Sequence, residues 1–184
     1  MASLTVLIEG YYVPGAPAHA CSTAVLVRAG GHIIVVDPGT VPDPRSLLDR
    51  LAREGLAAAD VSLVILTHAH ADHSRQAGLF AAARLLDAWG SWQGDAWDRS
   101  PGPIDPDVEL VRTPGHSDDS LSVFVRTSEG EIAICGDVIY DAAGLAAVDP
   151  FATDPVRLRA SRALVLDRAD FVVPGHGPMF KVQK

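Results

Sequence analysis

The sequence has almost no cysteine. Cys21 and Cys135 are the only two, far apart, which excludes a disulfide-stapled framework. Long hydrophobic runs are also missing. With no stretch of 18 apolar residues there is no candidate membrane helix, and Met1-Ala2-Ser3-Leu4-Thr5 lacks the basic-then-apolar pattern of a signal peptide. The expectation is a cytoplasmic chain with no membrane partner. Positive charge is scarce as well, 15 Lys and Arg against 23 Asp and Glu, net −8. No basic cluster advertises a grip on nucleic acid, so nucleic acid stays possible as a partner without support from charge. Bound metals would supply local positive charge, two divalent ions bringing the net to about −4.

The chain does hold enough apolar residues, 48% of 184, for a sizeable core, and residues 1–184 read as a single domain. It also holds a concentration of ligand chemistry. After the apolar run Val61-Ser62-Leu63-Val64-Ile65-Leu66 comes Thr67-His68-Ala69-His70-Ala71-Asp72-His73. The run is too short for a helix and reads as a buried strand, so the histidines lie at a strand's carboxyl end, where open α/β sheets place ligands. Imidazole nitrogens and carboxylate oxygens suit zinc, with iron or manganese as alternatives. His68 and His70, two apart on extended chain, can grip one ion. Asp72 and His73, one step later, can face a second.

The same event recurs along the chain. Residues 4–9 read as a first strand, 10–17 as a Pro- and Gly-rich loop, and 22–29 with 32–36 as a hairpin turning at Gly30-Gly31. That hairpin ends in Asp37-Pro38-Gly39, where Asp37 is either a turn cap or a group orienting a metal-bound imidazole. Asp43-Pro44 starts a helix whose apolar stripe is Leu47, Leu48, Leu51 and Ala52. Residues 74–84, rich in alanine, read as a helix. Residues 85–107 carry Trp89, Trp92 and Trp97 in a loosened pattern, a loop packing on itself or an aromatic wall for substrate. A strand at 108–112 ends in Thr113-Pro114-Gly115-His116. A hairpin, 121–126 with 131–134, runs into Cys135-Gly136-Asp137. A last helix spans 156–167, and Phe171-Val172-Val173 ends in Pro174-Gly175-His176-Gly177. His19 and His32 read as surface residues and Cys21 as a small core residue.

If these strand ends converge they supply His68, His70, Asp72, His73, His116, Asp137 and His176, enough for two ions sharing a bridging oxygen. In that order the motifs resemble the metallo-β-lactamase superfamily over essentially the whole chain. The closing residues 154–177 and the Glu9-Gly10 start resemble, more narrowly, metallo-β-lactamase domain-containing protein 1 and its relatives. The resemblance implies an α/β (α+β) fold, an αββα sandwich of two mixed sheets with helices on the outer faces. It implies His68, His70 and His116 on one Zn2+, Asp72, His73 and His176 on the other, and Asp137 bridging. The expected reaction is hydrolysis of a small-molecule ester, thioester, lactone or phosphodiester by a metal-bridging hydroxide. Asp72 is a candidate to orient that hydroxide and Tyr140 to protonate the leaving group. The alternatives are a mononuclear iron enzyme that oxidises persulfides and an RNA- or DNA-cutting nuclease. The resemblance also suggests a homodimer.

Overall fold

Alternating apolar positions set the layers of this molecule. In the computed structural model, which describes residues 1–142 and 148–184, the chain begins with strand β1 (Ser3–Ile8). A separate hairpin follows, β2 (Tyr11–Val13) and β3 (His19–Cys21), and then β4 (Ala24–Ala29) and β5 (His32–Val36). Helix α1 (Arg45–Arg53) leads to β6 (Leu63–Ile65). A short helix α2 (Ala71–Ser74) and a 3-10 turn (Ala77–Phe80) lead to β7 (Arg84–Asp87), β8 (Gly90–Gln93) and β9 (Ala96–Asp98). The remaining strands are β10 (Val108–Arg112), β11 (Leu121–Thr127), β12 (Gly130–Ile134), β13 (Phe171–Val173) and β14 (Phe180–Lys181), with helix α3 (Pro155–Arg168) between β12 and β13.

Two mixed sheets result, ordered β1-β4-β5-β6-β7-β8-β9 and β10-β11-β12-β13-β14. β5, β6 and β7 are parallel neighbours, as are β12 and β13, and the other pairs are antiparallel. Val25, Val27, Ile34, Val36, Leu63 and Ile65 meet Val123, Val125, Ile132, Ile134 and Val173 between the sheets. The intervening residues point outward. Leu26, Val35 and Val64 pack on Leu47 and Leu51 of α1, while Phe124, Ala133 and Val172 pack on Leu158 and Val165 of α3. Each fully buried aliphatic side chain contributes about 1.5–3 kcal/mol. This is the expected αββα sandwich. Among the described residues no helix is long and apolar enough to cross a membrane.

Three local expectations need correction. Residues 74–84 do not form one α-helix: α2 ends at Ser74 and only the 3-10 turn Ala77–Phe80 follows. The carbonyls that would extend α2 are engaged elsewhere, Asp72 O by Ser22 N and His73 O by Gly39 N, both at 3.0 Å. Gln76 turns away too, its N–H reaching Gly39 O and its amide reaching Val41 O. The first part of residues 85–107, as far as Asp98, is an antiparallel meander, β7-β8-β9, in which Trp92 lies opposite Trp97 and stacks on it at 5.1 Å. Residues 10–17 are not all loop, since Tyr11–Val13 pairs with His19–Cys21.

Candidate metal centre

Five strand ends deliver polar residues to one edge of the sandwich. β5 ends at Asp37, β6 runs into Thr67 and the histidine cluster, and β10 leads to His116, β12 to Asp137 and β13 to His176. Backbone bonds tie these ends together, from Leu121 N to Thr67 O at 2.8 Å and from Thr23 N to Gly175 O at 2.7 Å. Two glycines permit the close approach. Gly136 sits at φ 50°, and a Cβ there would collide with Thr67 Oγ1. A Cβ on Gly175 would collide with Asp137 Oδ1.

The seven sequence-predicted ligand residues all arrive, as two groups. His68, His70, His116 and Asp137 form one, and Asp72, His73 and His176 the other, each with its ligand atoms within 4.8 Å of one another. In the first, His70 Nδ1 is 2.9 Å from His68 Nε2 and 3.0 Å from His116 Nε2. Asp137 Oδ2 is 3.4 Å from His116 Nε2 and 4.0 Å from His68 Nε2. In the second, Asp72 Oδ2 is 3.4 Å from His176 Nε2 and 3.9 Å from His73 Nε2. Asp137 Oδ1 faces this group, 3.1 Å from His73 Nε2 and 3.3 Å from His176 Nε2. One carboxylate therefore presents an oxygen to each group.

These residues fit metal ions on three counts. Ligands ~2.0–2.1 Å from a tetrahedral ion lie ~3.3 Å from one another, near the middle of the separations above. His73 Nε2, His176 Nε2 and Asp137 Oδ1 are buried with no aligned hydrogen bond among the described residues and face one another, at 3.1 and 3.3 Å, an arrangement that a shared ion would satisfy. Lastly, the far nitrogen of four imidazoles is held by oxygen. His68 Nδ1 is 3.2 Å from Thr67 Oγ1, His73 Nδ1 2.8 Å from Asp37 Oδ2, His116 Nδ1 2.6 Å from Asp149 Oδ2 and His176 Nδ1 3.0 Å from Cys21 O. A donating Nδ1–H leaves the Nε2 lone pair aimed into the cluster.

The electrostatics agree. Burial holds the His68 and His70 imidazoles below their ordinary value, so both are neutral ligands near pH 7. Burial also opposes charge on His73 and His176. The carboxylates of Asp37 and Asp137 outweigh it at His73, and Asp137 outweighs it at His176, so both values rise. Asp137 moves the other way, its burial overcome by His73 and His176. Protons on those two imidazoles thus supply the charge that divalent ions would bring.

Asp37 turns out to be a positioning group. The backbone places it at φ 48°, and Thr67 N donates to its Oδ1 while Thr67 Oγ1 donates to its Oδ2. Tyr140 lies in the site with its ring 4.5 Å from that of His176, and burial and the charge of Asp137 push its phenol up, keeping it protonated. Asp149 escaped sequence reading, because nothing in the plain Val148-Asp149-Pro150 links it to His116. Cys135 stands outside both groups, its thiol buried and pushed up to about 12. Cys21 is buried. His19 is exposed and His32 half-buried. The cleft above the cluster holds about 360 Å3 and is lined by Tyr12, His70, Asp72, Arg75, Tyr140 and Phe151 among others.

Residues 22–92 match the family model described as Metallo-beta-lactamase superfamily. Metallo-beta-lactamase domain-containing protein 1 of Xenopus laevis is 36% identical, the match covering 99% of this chain and 82% of the frog protein. The protein of the same name from Homo sapiens is 36% identical over 86% of this chain, and there the match spans 63% of the relative, less than two thirds of its length. A crystal structure from Thermotoga maritima, of a protein provisionally named a metallo-beta-lactamase, superposes with a TM-score of 0.77. It covers 98% of this chain and 99% of its own, at 22% identity.

Proposed function

Because this chain belongs to the metallo-beta-lactamase superfamily, with the dinuclear ligand cluster of a metal-dependent hydrolase, we propose that it is a dizinc enzyme cleaving an ester, thioester, lactone or phosphodiester. The observation that carries this reading is Asp137, with one oxygen toward each group of imidazoles. His68, His70 and His116 would hold one ion and Asp72, His73 and His176 the other, with Asp137 facing both groups. When bound, the two ions acidify a water and draw electron density from the substrate's acyl or phosphoryl oxygen. Asp72, half-buried at the cleft floor, orients the attacking water through its second oxygen. Tyr140, still protonated, gives the leaving group its proton.

Elemental analysis of the unsupplemented protein tests the reading. Close to two zinc per chain is expected, and His116→Ala loses metal and turnover together. One iron per chain with little zinc overturns it in favour of oxygen-dependent chemistry, and full turnover by metal-depleted His116→Ala removes it altogether.

A further inference from the structure

The cleft continues beyond the metal ligands in two directions. Tyr12, Tyr140 and Phe151 line both the cleft and an adjoining hollow of about 250 Å3, whose other walls are Val148, Pro150, Asp141, Asp149 and Arg162, the last donating its Nε–H to Val138 O. The Tyr12 ring meets Tyr140 edge-on at 5.7 Å and Phe151 at 6.4 Å. Phe151 is 52% and Val148 86% exposed, apolar surface left open to water beside a reactive centre. A second hollow, sharing no wall with the first, is entered past Thr40 and Arg75. Arg75 is the only lysine or arginine among the described residues lining the cleft. It is exposed, and no described residue hydrogen-bonds or ion-pairs with its guanidinium.

A single unpaired guanidinium in a cleft otherwise walled by carboxylates, imidazoles and aromatic rings is a fork for one carboxylate. It is too little for a polyanion in a chain of net charge −8. We propose that the substrate is an acyl ester or thioester with an apolar group on one side of the scissile bond and a carboxylate on the other. The apolar group packs on Tyr12 and Phe151, and the carboxylate pairs with Arg75. This rests on the hydrolase reading above. In the thioester case the oxygen of water joins the acyl carbon, the carbon–sulfur bond breaks, one proton leaves on the thiol and the other with the new acid.

The test uses zinc-loaded protein and four thioesters: S-hexanoyl and S-acetyl derivatives of 3-mercaptopropionate and of its uncharged amide. Release of thiol gives kcat/KM. A preference for the acid over the amide of about two- to fivefold, the worth of one exposed ion pair, is expected, and it falls to about one in Arg75→Gln. Phe151→Ala lowers the hexanoyl-to-acetyl ratio. Equal rates for acid and amide, or an acid preference that survives in Arg75→Gln because the carboxylate goes to the metals, overturns the proposal. A chain-length ratio unmoved by Phe151→Ala removes the aromatic half. Binding of the inert thioether S-hexyl-3-mercaptopropionate, by calorimetry, separates the two readings. Arg75-dependent binding without thioester turnover upholds the subsite and sinks the hydrolase, and turnover without acid preference does the reverse. Neither binding nor turnover overturns the proposal. Faster cleavage of single-stranded RNA than of any thioester also overturns it.

Discussion

Asp37 shows how much of the site is set by residues that touch no substrate. Its left-handed backbone costs about 1–3 kcal/mol for a residue with a side chain, and its two oxygens take three donors from Thr67 and His73. Asp37→Asn keeps the shape but turns one acceptor into a donor facing other donors. With two ions bound as proposed, the expected result is a loss of affinity of about 10–100-fold at the Asp72, His73 and His176 group, with the other ion retained. Graded chelation followed by metal analysis measures this, and simultaneous loss of both ions would contradict it. Tyr140→Phe has a different signature. If the phenol supplies the leaving-group proton, kcat falls about 10²–10⁴-fold for poor leaving groups and barely changes for nitrophenolate, which needs no proton. That these residues would cluster was legible because histidines at strand ends have few other uses. Asp149 was not, since its role depends on a contact with His116, 33 positions away, and no local pattern carries that information.

Among the elements, the long core strands and helices were readable from alternation and capping. Asp154 caps α3 through Val156 N and Arg157 N, both at 3.0 Å, with Pro155 in the first turn. The stretch after the histidine cluster misled because alanine favours helix only when its carbonyls are free to bond within the helix. Here Asp72 O and His73 O bind Ser22 and Gly39 instead, so the loops that fix the metal ligands also break the helix. The meander of β7, β8 and β9 was hidden by strands of three or four residues, too short to show a period. Its Trp92–Trp97 pair, with Arg99 4.4 Å above the Trp97 ring, holds the sheet edge together. Trp97→Ala should cost about 0.5–1.5 kcal/mol beyond lost area. Hydrogen exchange should then rise in β8 and β9 while metal content stays unchanged. Loss of metal in Trp97→Ala would mean the edge supports the centre, contrary to this view.

At the scale of the whole molecule, the order of strands was not written in any single segment. Period-two apolar runs say which faces are buried, not which run lies beside which, and only the resemblance supplied that arrangement. What the assembled fold does is hold four buried histidines and a buried aspartate against one another, so proton and metal binding compete. His73 and His176 have folded values above the ordinary 6.5. Their pairing with carboxylates therefore stabilises the metal-free fold fully below about pH 6.5 and is lost as pH rises through the raised values. Asp137, held below its ordinary 3.8, contributes above that pH and loses its contribution only as acid carries it through the depressed value. His68 and His70, held below 6.5 in the fold, act the other way, their contribution falling as pH drops below about 6.5, so the two pairs of histidines oppose one another there. Zinc must displace the imidazole protons, so its stabilisation grows with pH across the range where they would otherwise remain. Thermal unfolding of chelator-treated protein with and without added zinc, from pH 5 to 9, should show the gap in Tm widening as pH rises. A gap that stays constant would mean His73 and His176 are already neutral at pH 5, and the charge balance derived for the centre would be wrong.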